Sequence, residues 1–179
     1  MVTREEVVNI ASGRAFGRPL IVNVFRGHLV EAMLAIALEP DWRWCSQDYA
    51  GWDFENLQGF RLEVKQSAAR QSWAPPKHGA ASPRFDIRAR TGHWEGAVWI
   101  AGGTRLSSIY VFAWHGVADD AADHRCPNQW RFYLVPETQL PDQKSISLAH
   151  IQRLSVSVGL DEVRDALALL TLAPTSQPQ

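Results

Sequence analysis

The sequence has little cysteine and little lysine. Its two cysteines, Cys45 and Cys126, lie far apart and outside any CxxC or His-Cys spacing. That excludes a disulfide framework and any readable zinc pattern. Six histidines are scattered without ligand spacing, and His115 and His124 near Cys126 do not make a zinc set. No uncharged apolar run approaches the roughly 18 residues of a membrane span. The opening "MVTREEVVNI" is charged early and lacks the apolar stretch of a signal peptide. A cytoplasmic protein with no membrane partner is therefore expected. There is no GxSxG elbow, no glycine-rich phosphate loop and no internal repeat.

Hydrophobic residues make up 46% of the 179 and charged residues 21%, enough for a real core. Net charge is −1, which argues against a protein that is basic overall. The charge is unevenly placed: Arg61 to Arg105 carries +5 and the remainder −6. A local basic zone suits an anionic substrate, while a solvated, arginine-rich face is the plainer alternative.

Hydropathy patterning predicts a short helix in "TREEVVNIAS", with Thr3 and Glu6 as a capping box. "SGRAFGRP" reads as a turn-rich link. "NVFRGHLVEAMLAIALEP" reads as a helix ended by Pro40, apolar around most of its circumference and so well buried. Glu31 is the only charge between Leu29 and Leu38. "DWRWCSQ", "GWDFE", "FRLEVKQS" and "RFDIRAR" alternate as strands do. "WAPPKHGAASP" reads as a mobile loop. "SSIYVFAWHG" has the apolar continuity of a buried central strand, and "QWRFYLVPETQL" is a strand ending at Pro136. Two helices follow, "SLAHIQRLS" capped by Ser147 and "LDEVRDALALLTL" with Asp161 near its start. This order predicts an α/β domain with a central mixed sheet flanked by helices. A single domain over 1–173 is expected, with a core at about 24–140, C-terminal helices at 147–172 and a disordered tail at 174–179.

The hairpin "GWDFENLQGFRLEVKQS" carries the sharpest signal. A three-residue loop, Leu57-Gln58-Gly59, with glycine in the left-handed position would pair Glu55 with Arg61 and Asp53 with Glu63. Lys65 falls on the same face, opposite Gly51. Directly opposed carboxylates destabilise a sheet unless a cation or a proton lies between them. Oxygen ligands at this spacing suit Mg²⁺ or Mn²⁺. Lys65 would orient and help deprotonate a metal-bound water, or stabilise charge on a phosphate oxygen. The alternative is an ordinary surface hairpin.

These residues, D-x(n)-E-x-K on a hairpin preceded by a glutamate-bearing helix, resemble the PD-(D/E)xK nuclease superfamily, with its restriction-endonuclease-like fold. The stretch from "WRFYLVPETQL" to "KSISLAHIQRL" also looks like bacterial proteins of this general type. The resemblance implies a Mg²⁺-dependent deoxyribonuclease acting on DNA. Asp53 and Glu63 would be its metal-binding carboxylates, Lys65 its catalytic lysine and the carbonyl of Val64 a further ligand. Glu31 would be the additional acid on the first core helix. Trp52 stands where the motif has proline. Gln66 and Arg70 would border the cleft and touch phosphate or base edges, and Trp73 would stack on an unpaired base. The partner expected is DNA, with a homodimer left open. The runner-up is a non-catalytic DNA- or protein-binding domain of the same fold.

Overall fold

A computed structural model describes residues 1–45, 51–73, 83–95 and 98–172. Helix α1 (Arg4–Phe16) starts where Thr3 and Glu6 exchange side-chain and backbone hydrogen bonds. It runs on through "SGRAF", which the sequence suggested was a link, and stops at Gly17. None of its residues is buried.

Helix α2 (Asn23–Leu38) is followed by a meander of three strands: β1 (Trp42–Trp44), β2 (Phe54–Asn56) and β3 (Arg61–Ala68). Two short hairpin partners, β5 (Gly92–Glu95) and β6 (Val98–Ala101), and the strand β4 (Arg84–Asp86) lie between β3 and the next long strand. That strand is β7 (Ile109–His115), and β8 (Trp130–Pro136) follows it. The last elements among the described residues are β9 (Ser145–Ser147), α3 (Leu148–Leu154) and α4 (Val163–Leu172). The main sheet has the order β1-β2-β3-β7-β8. The β3–β7 pair is parallel and the others are antiparallel, so the sheet is mixed, as expected.

Period-2 alternation sends the side chains of each long strand to two different cores. Leu62, Val111, Ala113, Phe132 and Leu134 pack under α2 and α4. Tyr110, Phe112, Tyr133 and Val135 pack on the other face, against Phe85, Ile146 and Ile151 of β4, β9 and α3. Arg164 on α4 ties the helices together by donating to the Ala37 and Glu39 carbonyls at the end of α2. Helix α2 is buried on one face only. Val30, Met33, Leu34 and Leu38 are inside, whereas Ile36 is 83% exposed. The expectation of burial all round fails because the sheet covers only one stripe of the helix.

The β5–β6 and β9 strands were not legible as strands in the sequence. "WAPPKHGAASP" falls almost wholly on 74–82, and the tail on 173–179, both outside the described residues. Among the described residues, no helix is long and apolar enough to cross a membrane.

Candidate functional site

The hairpin closes in the register that its turn chemistry dictates. Gly59 adopts φ 82, a left-handed conformation that costs a glycine little. Asn56 Oδ1 accepts hydrogen bonds from the Gln58 and Phe60 amides and fixes the loop. Glu55 then pairs with Arg61 and Phe54 with Leu62. Glu55 takes ion pairs from Arg61 at 3.0 Å and Arg43 at 3.1 Å, and the Arg61 guanidinium lies 3.4 Å over the Trp52 ring. This outer part of the hairpin is ordinary sheet-surface chemistry.

One step inward the hairpin changes character. Strand β2 begins only at Phe54, so Asp53 sits at the point where the two strands part. Its amide donates to the Leu62 carbonyl, and its carboxylate Oδ2 accepts the Val64 amide at 2.6 Å. The N–H and C=O of one residue in an extended strand point to the same side. The Val64 carbonyl therefore faces the same edge as the Asp53 carboxylate.

Glu63 and Lys65 point to the β4–β9 face, as the alternation on β3 requires. Glu63 is 4% exposed, and its Oε1 accepts from Lys65 Nζ at 2.5 Å and from Arg90 at 3.1 Å. A carboxylate this buried must be paired, and here it is paired twice. Glu31 lies at the end of the sheet, where its Oε2 accepts from the Trp44 indole at 3.1 Å and meets His28 at 3.6 Å.

These groups are electrically one cluster. Burial pushes the Asp53 carboxyl up to about 7, and the negative charges of Glu63 and then Glu31 push the same way. The Val64 amide and the Lys65 ammonium oppose them without prevailing. The Tyr110 hydroxyl, beside Glu63 on β7, is pushed up by burial and by that same carboxylate.

The structure therefore brings Asp53, Glu63, Val64 and Lys65 together and places Glu31 within electrostatic reach. It does not bring Gln66, Arg70 and Trp73 to them. Gln66 falls on the opposite face of β3, where its side chain joins Arg26 at 2.6 Å and Asn23 at 3.0 Å. Arg70 lies past the far end of β3, paired with Asp120 at 2.7 Å. Trp73 lines a separate cavity with Arg70, Arg14 and Arg18, beside α1.

Two groups escaped the sequence reading. Arg90 belongs to the basic zone of the sequence, but its contact with Glu63 has no local signal, since only the chain crossing between β3 and β7 carries it there. Arg26 is 2% exposed on an apolar helix, and it is held by the amide oxygens of Gln66, Gln71 and Asn23.

A cation suits the Asp53 edge on the chemistry of its donors. Two carboxylates and a carbonyl are hard oxygen ligands, and a divalent ion would offset the burial and, after it, the repulsion that hold the Asp53 carboxyl so high. Among the described residues, no group of three or more His, Cys, Asp or Glu side chains is arranged as a ligand set. A site here would rest on two side chains, a carbonyl and water. No protein-family model and no curated protein matches the chain.

Proposed function

We propose that the protein hydrolyses phosphodiester bonds in DNA with a divalent cation, Mg²⁺ or Mn²⁺, as a PD-(D/E)xK-type endonuclease of restriction-endonuclease-like fold working in the cytoplasm. The observation that carries this reading is the meeting of Asp53, Glu63 and Lys65 where β2 and β3 part. Asp53, Glu63 and the Val64 carbonyl would hold the ion, with Glu31 adding negative charge behind Asp53. The ion would supply Lewis-acid polarisation of the phosphate and a more acidic water. Lys65 sits against Glu63 as an ammonium, placed to neutralise a phosphate oxygen or to exchange a proton with the attacking water. Arg90 shares the Glu63 oxygen and adds a second cation on the substrate side.

Cleavage of linear, nicked and branched DNA in Mg²⁺ or Mn²⁺ tests the reading. Activity that Lys65→Ala abolishes supports it. Absence of cleavage on all three substrates, or cleavage unchanged in Lys65→Ala, removes the enzymatic claim.

A second reading has its own observation. Lys65 and Arg90 already neutralise Glu63 without an ion, as they would in a non-catalytic DNA- or protein-binding domain. Calorimetric titration with Mn²⁺ separates the two: heat that Asp53→Asn eliminates belongs to the enzyme, and no heat belongs to the binding domain.

A further inference from the structure

Beside Glu63 and Lys65 opens a cavity of about 480 Å³. Its floor is Tyr110 of β7, and its wall comes from the segment that links β4 to the start of β5, Arg88 to Gly92. The charged groups lining it are Lys65, Arg88, Arg90 and Arg105 against Glu63 and Asp86. Arg105 is committed to the fold, since it donates to the Ile87 and Pro141 carbonyls and pairs with Glu137 at 3.2 Å. Lys65 and Arg90 are part-exposed and converge on one oxygen of Glu63.

Trp99 of β6 forms another part of the lining and remains 48% exposed. Its ring lies against Gly92 on the paired strand. A Cβ at Gly92 would stand 2.4 Å from Trp99 Cζ2, so only glycine lets the indole lie there. The backbone thus sets a large aromatic surface beside a cationic pair, in a cavity of small-ligand size.

From this pairing we infer that the cavity takes one unpaired nucleotide of a DNA strand, its base stacked on Trp99 and its phosphate against Arg90 and Lys65. A base offers its flat face to an indole only when its neighbours in the duplex do not cover it. Extruding a base from intact duplex costs unstacking and unpairing energy. The substrate class is therefore DNA with a single-stranded segment: an overhang, a flap or an open junction. This inference rests on the nucleic-acid reading of the Glu63 face, but it does not require catalysis.

The test is equilibrium binding without metal. In EDTA, fluorescence anisotropy compares a labelled oligo-dT with a blunt duplex of equal length, on the full chain. The expected result is single-strand binding at least roughly tenfold tighter than duplex binding, in line with the stacking contribution of one aromatic. Trp99→Leu should bring the two affinities within about twofold, whereas Trp99→Phe, which keeps a stacking ring, should retain the preference. Unchanged melting temperature in Trp99→Leu shows that the loss is not unfolding. Free dTMP should compete only at far higher concentration than the oligonucleotide. Equal binding of single strand and duplex, a preference that survives in Trp99→Leu, dTMP competing as well as the strand, or no DNA binding overturns the inference. Single-strand binding in a protein that never cleaves leaves it standing and removes only the catalytic claim. Cleavage of blunt duplex without single-strand preference does the reverse.

Discussion

The parallel pair β3–β7 carries a polar cluster at each end, separated by about 17 Å of strand, and the two meet the cost of burial in opposite ways. At the far end His115 and His124 are fully buried, edge to face at 4.9 Å. His124 Nδ1 accepts the Ile21 amide, so Nε2 carries the proton and donates to the Arg70 carbonyl. His115 Nε2 faces two acceptors, Gln129 Oε1 and the Asp123 carbonyl, and donates to them. Burial holds both rings neutral: the His124 imidazole is lowered to about 4, with the Arg26 charge acting the same way, and His115 is lowered too. Nearby Arg26 is lowered to about 10 by burial, with three amide oxygens around it. Near the start of β3, by contrast, Glu63 is salt-bridged but Asp53 is left with more negative charge around it than its partners offset. The far end keeps its rings neutral, leaving only His115 Nδ1 and Arg70 Nε without a partner among its described buried polar atoms; the other end keeps an electrostatic debt that a ligand can relieve.

The largest effect expected from breaking this contrast is on chemistry. Lys65→Ala and Glu63→Gln should each lower DNA cleavage by roughly 100-fold or more, the scale of a lost acid–base group. Unfolding in urea should show that Lys65→Ala stays folded. Arg70→Ala and Trp73→Ala, at the far end, should change cleavage by less than about twofold, since neither reaches Glu63.

Second in size is a stability effect confined to the far end. Arg26→Met removes a buried cation and the three hydrogen bonds it donates to half-buried Gln66 and Gln71 and to exposed Asn23. Hydrogen bonds to a charged group contribute about 1.5–3 kcal/mol each, and water reaching Asn23 recovers part of that, so a loss of about 3 kcal/mol is expected. Urea unfolding measures it, and metal binding at Asp53 should be unaltered.

That Arg26 matters this way could not be read from the sequence, whereas the Glu55–Arg61 register of the hairpin could. The hairpin is local: Asn56, Gly59 and the alternation on β3 decide its register within a few residues. The same alternation sends Gln66 to the face of β3 opposite Lys65, where it meets Arg26. Arg90 and Trp99 are different. They reach the Glu63 face only because β7 returns parallel to β3 and the intervening chain folds over that side of the sheet, a long-range arrangement with no local signature. Arg26 escaped for the same reason, as its amide partners Gln66 and Gln71 lie 40 and 45 residues away.

The histidine end also sets a pH signature. Unfolded histidine titrates near 6.5 and folded His124 near 4, so between these values the unfolded chain binds more protons. Stability should therefore fall as pH drops from about 6.5 towards 4, by on the order of 2 kcal/mol for this residue. Denaturation at pH 7 and pH 5 measures the drop in an Asp53→Asn background, which removes the opposing titration of Asp53. Adding His124→Gln, which has no titrating group, should reduce it to what His115 contributes.

The smallest effect is the one that separates the two ends most cleanly. Asp53 is shifted in the opposite sense to an ordinary salt-bridged acid: its folded carboxyl titrates near 7 and its unfolded one near 3.8. Between those values the folded state binds more protons, so the contribution of Asp53 to stability is present at low pH and is lost as pH rises through about 7. At pH 8 the ionised carboxylate strains the fold, and Asp53→Asn should be more stable than the native chain by about 1 kcal/mol, after allowing for the lost charge-assisted bond to the Val64 amide. At pH 5, where Asp53 is protonated, the gain should vanish. Saturating Mg²⁺ at pH 8 should raise the melting temperature of the native protein and leave Asp53→Asn where it was, because a ligand stabilises only the state that binds it. A variant no more stable than the native chain at pH 8 would mean that Lys65 and the Val64 amide already balance Asp53, and the contrast between the two ends of β3 would disappear.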